Sequence, residues 1–261
     1  MYISRLTVTL QRKRKKQMKN VYLKALVPLL VFAGMQGLGG MTILLTGESI
    51  EALAVAIIIS GLLTVAVLWK MGMIGAGAFT PEKVSGKRLA LSFVAAFSCI
   101  IAVDLLSELL RLPNLIEEQF IAMVHNVWGV VAMIVVGPIV EELVFREAML
   151  GHMLKNGVDK WSAIVISALL FGVIHGNPIQ IPFAFAVGLV FGLIYYKMGN
   201  VVLTTIIHIV NNSLAVAEMN LLGDGAGDIH YYDYLGGMGT EAAIIVVCGI
   251  ICLVATMRID K

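Results

Sequence analysis

Residues 140–150 read VEELVFREAML. Two glutamates and an arginine stand in an otherwise apolar run. Each charge placed in hydrocarbon costs roughly 2.5–3.5 kcal/mol on insertion scales. The reading of this stretch depends on what surrounds it. The chain has 261 residues, of which 59% are hydrophobic and 14% charged. A soluble domain carries about 25% charged residues, so the class is an all-α, polytopic membrane bundle. In such a bundle an ionisable side chain marks a functional site unless it serves only to join helices.

Working outward, about 20 apolar residues are needed to cross the bilayer. That rule predicts eight spans, at about 21–46, 50–70, 88–110, 119–154 (over-long), 161–175 (short), 179–197, 201–222 and 240–257. The expected organisation is a basic cytoplasmic tail over residues 1–20 and a single transmembrane helical domain over 21–261, with a catalytic core at about 119–222. The tail holds RKRKKQMK, Arg12 to Lys19. Lying directly before an apolar stretch, this run reads as a membrane flank and not as a nucleic-acid site. The stretch after it is too long for the apolar region of a signal peptide, so an uncleaved first span is expected.

Lys and Arg alternate between the loops. Lys70, Lys83, Lys87 and Arg88, then Lys155 and Lys160, then Lys197, then Arg258 and Lys261 fall on the side of the tail. The opposite loops contain Arg111 as their only basic residue. Basic loops stay cytoplasmic, so both termini are expected there, with a bacterial plasma membrane as the expected location. Cys99, Cys248 and Cys252 lie in apolar stretches, without metal-ligand spacing, and read as packing residues.

In a helix Glu142 and Arg146 are four apart and share a face, so they can pair. Glu141 then projects about 100° away, which leaves one acid free while its neighbour is neutralised. Two further segments carry buried polar groups: FGVIH, with Phe171 and His175 four apart, and HIVNN, with His208 and Asn212 four apart. Counted from the connection KNGVDK at about 1.5 Å per residue, Glu141 lies about 22 Å and His175 about 24 Å into antiparallel neighbours. From Asn200, His208 and Asn212 lie about 12 and 18 Å into the seventh span. Four polar groups on three helices are thus expected in one layer.

A buried carboxylate, two imidazoles and an amide suit hydrolysis of an amide bond. Glu141 can act as general base on a water, His175 can hold that water and pass on a proton, and His208 with Asn212 can donate to an oxyanion. A metal reading is also open: Glu141, His175 and His208 could hold a divalent ion such as Zn²⁺ with water in the fourth position, although no HExxH occurs.

EELVFR, FGVIH and HIVNN, in that order, match the pattern EExxxR, FxxxH, HxxxN. The chain resembles the CPBP family of intramembrane proteases, which contains the CAAX prenyl endopeptidases and the bacteriocin-processing and self-immunity (Abi) proteins. The motifs cover roughly residues 138–212; residues 1–120 carry no signature. The resemblance implies that Glu141 and His175 activate the water and that His208 and Asn212 form the oxyanion hole. Glu142 and Arg146 are implied to support them, with Phe171 as a motif position. It also implies a glutamate-dependent mechanism without an obligatory metal, although the family is commonly labelled metalloprotease. One departure is Glu147, where a glycine commonly follows the motif's arginine. The expected partners are membrane lipids and a peptide or membrane-protein substrate, such as a bacteriocin or signal peptide precursor. The alternative reading is a non-catalytic immunity or scaffold protein, or a small transporter, although the two related halves common in transporters are missing.

Overall fold

The protein is described by a computed structural model covering residues 16–47, 49–80, 84–222 and 231–259. The residues Arg12 to Lys15 of the tail, Lys83 and His230 lie outside the described residues. Among the described residues the regular structure is helical, with no strand. Seven helices are long and apolar enough to cross a membrane: α1 Lys16–Thr46, α2 Ile50–Lys70, α3 Gly86–Leu110, α5 Val127–Lys155, α7 Gln180–Met198, α8 Val202–Leu221 and α10 Met238–Arg258. Between them lie α4 Glu117–Val124, the shorter apolar α6 Lys160–Ile174 and α9 Tyr231–Leu235. Large apolar side chains such as Leu30, Leu62, Val246, Ile250 and Leu253 are exposed on the outside of the bundle, as helices solvated by lipid require.

The over-long stretch at 119–154 resolves into two helices. α4 ends at the cap residue His125, and Asn126 starts α5: its Oδ1 accepts from Trp128 N at 3.0 Å and Gly129 N at 3.1 Å, satisfying donors that a helix start leaves open. The predicted fifth span, at 161–175, is α6, which has 15 residues. At 1.5 Å per residue it reaches about 22 Å, short of the roughly 30 Å of hydrocarbon.

Within α5, two stretches widen to i→i+5 bonding, Ala132–Val136 and Leu143–Gly151. Pro138 explains the first. Gly137 N donates to Ala132 O, and Pro138 has no N–H to give. The carbonyl of Met133 is left without a helical donor, and a side chain from another helix takes it, as described below.

The site sits where α5 is enclosed by α2, α6, α7 and α8. Around it Leu143, Val144, Phe145, Ala148, Met149 and Leu150 are buried to 1% or less. α6 and α7 lie close because Gly172 has no side chain: a Cβ there would come within 2.7 Å of Ile181 O. The run GMQGLGG reads from sequence as a close-packing face, yet only Gly39 meets a neighbour, a Cβ there coming within 3.2 Å of Ala56 O. Gly34, Gly37 and Gly40 face open space. Cys99 contacts Cys252 across α3 and α10 as free thiols, in keeping with packing roles.

Candidate active site

Glu142 is fully buried and stands between two partners. Its Oε1 lies 3.3 Å from Arg146 Nη1 and 3.2 Å from His208 Nδ1. The i,i+4 pair expected from EELVFR is therefore present, and it extends to α8. Glu141 points elsewhere: its Oε2 lies 3.7 Å from His208 Nε2, and 22% of its side chain is exposed. The imidazole of His208, itself buried, is wedged between two carboxylates, one closed to solvent and one open.

Phe171 joins the second motif to the first. The Arg146 guanidinium lies over its ring, 4.2 Å from the centroid, a cation–π contact that offsets part of the desolvation of a side chain only 1% exposed. His175 and His208 both meet the same ring edge-on, at centroid distances of 5.1 and 6.1 Å. The two imidazoles are thus brought around one phenyl group from different helices. His175 Nδ1 lies 2.8 Å from Phe171 O. A carbonyl only accepts, so Nδ1 carries the proton and the neutral ring presents a lone pair at Nε2.

Asn212 stands apart from the carboxylates. Its Nδ2 donates to Met133 O at 2.9 Å, the carbonyl freed by Pro138, and its Oδ1 accepts from Asn211 Nδ2 at 3.1 Å. The amide docks α8 onto α5. Its second N–H is a further donor. Glu147, the departure from the motif pattern, pairs away from this group, accepting from Tyr195 Oη at 2.7 Å and facing Lys155 Nζ at 3.3 Å. Outside the site, Glu108 accepts from the backbone N–H of Tyr231 at 3.0 and 3.2 Å, and Glu218 accepts from the Tyr231 hydroxyl. Tyr231 thereby ties α9 to both α3 and α8, so Glu108 has a structural task.

For a metal, the donors must converge. Among the described residues no three His, Cys, Asp or Glu side chains gather tightly enough to hold an ion. Glu141 and His208 are close, but both nitrogens of His208 already face carboxylates and Glu142 is committed to Arg146 and His208. The donor set does not fit a zinc ion.

Two participants have no signature in the sequence. Phe191, on α7, closes the cage, with its centroid 5.5 Å from the Arg146 guanidinium carbon and 5.7 Å from the His208 ring. Tyr195 takes the charge of Glu147. A buried acid needing a partner was the available signal for the tyrosine; nothing distinguishes Phe191 from other apolar residues of its helix. Beside the site, an apolar gap of about 380 Å³ opens between α2 and α5, lined by Leu62, Trp69, Phe79, Ile139, Val140 and Leu143. The last three flank Glu141 along α5.

Residues 123–214 match the family model described as type II CAAX prenyl endopeptidase Rce1-like. No curated protein and no solved structure matches the chain. The matched segment contains every residue of the three motifs and begins where α4 gives way to α5. Residues 123–214 are thus similar to that endopeptidase family, and the match together with the apolar helices supports an integral membrane protein.

Proposed function

We propose that the protein hydrolyses a peptide bond in a membrane-associated peptide or protein, using a water activated by Glu141 and His175. Glu141 is the carboxylate at this cluster that keeps solvent access while its neighbour is neutralised. Its oxygen takes a proton from the water as the water oxygen bonds to the substrate's carbonyl carbon. The lone pair on His175 Nε2 orients the same water. A ring N–H of His208 and the second N–H of Asn212 donate to the oxyanion of the tetrahedral intermediate. When the carbon–nitrogen bond breaks, the proton held by Glu141 passes to the leaving amine.

The ion pair supports this assignment. Arg146 offsets the enclosed Glu142 in a medium that penalises an uncompensated charge, which leaves Glu141 as the reactive carboxylate. The remaining proposals concern placement. Both termini face the cytoplasm, with residues 1–20 as a basic tail and 119–222 as the catalytic core. The substrate is a secreted peptide precursor, such as a bacteriocin or signalling peptide.

The observation that carries the reading is the bridge of His208 between a neutralised Glu142 and an accessible Glu141. The test compares the membrane peptidomes of cells carrying the wild-type protein and Glu141→Gln. Fragments made by the first and not by the second are expected, with both proteins present at equal levels. Identical fragment sets reject the hydrolytic mechanism, and an immunity phenotype retained by Glu141→Gln favours a binding role.

A further inference from the structure

His175 is the last residue before a corner, and the corner is fastened from outside its own hairpin. α6 ends at Ile174, Gly176 takes φ +63°, and the chain turns into α7 through Asn177 and Pro178. Asn177 is 1% exposed. Its backbone carbonyl accepts from Gln180 N at 2.9 Å and Ile181 N at 3.0 Å, opening α7. Its side chain reaches 62 and 63 residues back along the chain. Oδ1 accepts from Leu115 N at 3.0 Å, and Nδ2 donates to Asn114 Oδ1 at 2.8 Å. Both ends of the amide are used, on the connection between α3 and α4.

A buried polar group needs at least one hydrogen-bond partner. The Asn177 side chain has two, on neighbouring residues, and lies two residues from the imidazole that meets the Phe171 ring. The bond from His175 Nδ1 to Phe171 O fixes which nitrogen faces the site, but it lies within the same helical turn and moves with it. Ser167 Oγ, eight residues earlier on α6, donates to Phe145 O of α5 at 2.8 Å; at the corner itself the side-chain hydrogen bonds to the rest of the bundle are those of Asn177.

We propose that Asn177 is a positioning residue, clamping the α6–α7 corner to the 112–116 connection so that His175 stays in register with Glu141. The inference deepens the hydrolytic reading and rests on it for the role of His175. The clamp itself can be tested without any cleavage.

The first readout is chemical. The full-length protein in detergent is treated with diethyl pyrocarbonate, and the carbethoxylation of His175 is followed by mass spectrometry. Asn177→Leu keeps the volume and loses both bonds; a severalfold faster modification of His175 is expected. Asn177→Asp keeps the acceptor for Leu115 N, and its second oxygen can accept from a flipped Asn114 amide, so a rate near wild type is expected. An unchanged rate in Asn177→Leu overturns the clamp, as does an equal rise in Asn177→Asp. If Asn177→Leu does not fold, Asn114→Ala removes the Asn177 Nδ2–Asn114 Oδ1 bond alone, and a smaller rise in the same rate is expected, an unchanged rate overturning the clamp.

The second readout uses the fragment that wild type releases and Glu141→Gln does not. Asn177→Leu is expected to lower kcat about 10- to 100-fold, the scale of a small misplacement of a catalytic group, with KM within about twofold. A raised KM at unchanged kcat overturns the positioning role. If wild type releases no such fragment, the hydrolytic reading fails, while the modification rates still decide the clamp.

Discussion

At the scale of single residues, Glu141 and Glu142 are adjacent in sequence and opposite in circumstance. Glu142 is enclosed and shared between Arg146 and His208, whereas Glu141 keeps solvent contact. Glu142→Gln removes the counter-charge of an enclosed guanidinium, and breaking a buried pair costs about 3–5 kcal/mol. A large drop in thermal stability in detergent is expected, together with lost activity. Glu141→Gln should leave the melting temperature close to wild type while abolishing cleavage. Equal melting shifts for the two variants would contradict this division of labour. The pairing of Glu142 with Arg146 was legible because four residues bring side chains together on any helix. That His208 completes the bridge was suggested only by depth, since no local spacing connects residues 66 apart.

At the scale of elements, α5 and α6 carry the argument. Periodicity predicts an unbroken α-helix through Pro138 and so cannot show that Met133 loses its donor, nor that Asn212 is drawn to it. Restoring an N–H at 138 should therefore make the amide less necessary. Asn212→Leu alone is expected to destabilise by about 1–2 kcal/mol, the scale of interhelical hydrogen bonds in membranes. In the Pro138→Ala background it should cost markedly less. Additive losses in this double-mutant cycle would count against the explanation. At the start of α6, Asp159 Oδ2 accepts from Ser162 N and Trp161 N, both at 3.0 Å. The bond from Ser162 N, foremost, holds its carboxyl below the usual carboxylate range. Because the folded value is depressed, the cap's contribution is complete above the ordinary carboxylate pKa, about 3.9, and fades as pH falls through the lower folded value. Asp159→Asn should flatten the pH dependence of unfolding in that acidic window and leave stability at neutral pH nearly unchanged. The α6 boundary at this cap was readable from the sequence. The split between α4 and α5 was not, because His125 and Asn126 are a lone polar pair between apolar runs that continue the hydropathy of a single span.

At the scale of the whole molecule, the eight predicted spans correspond to seven long helices and one short one, because hydropathy measures apolar length well and depth poorly. The charge asymmetry of the loops carries a prediction of its own. With the native cysteines replaced, Leu115→Cys should react with a membrane-impermeant maleimide added to intact cells, and Asn156→Cys should react only after lysis. The reverse pattern would invert the assigned orientation. The core of the site was legible because three motifs and the bilayer's fixed thickness constrain depth together. Phe191, the Met133 carbonyl and Asn177 were hidden, since each acts through tertiary contacts that leave no periodic trace.

The brevity of α6 bears on how a hydrolytic site obtains its reactant. A helix of about 22 Å beside a slab of about 30 Å leaves a shortfall of about 8 Å, which lipids absorb by thinning or by admitting polar molecules. A dimple over His175 would shorten the route of bulk solvent to Glu141. Turnover should then depend on acyl chain length: faster in short-chain liposomes, slower as longer lipids press the indentation closed.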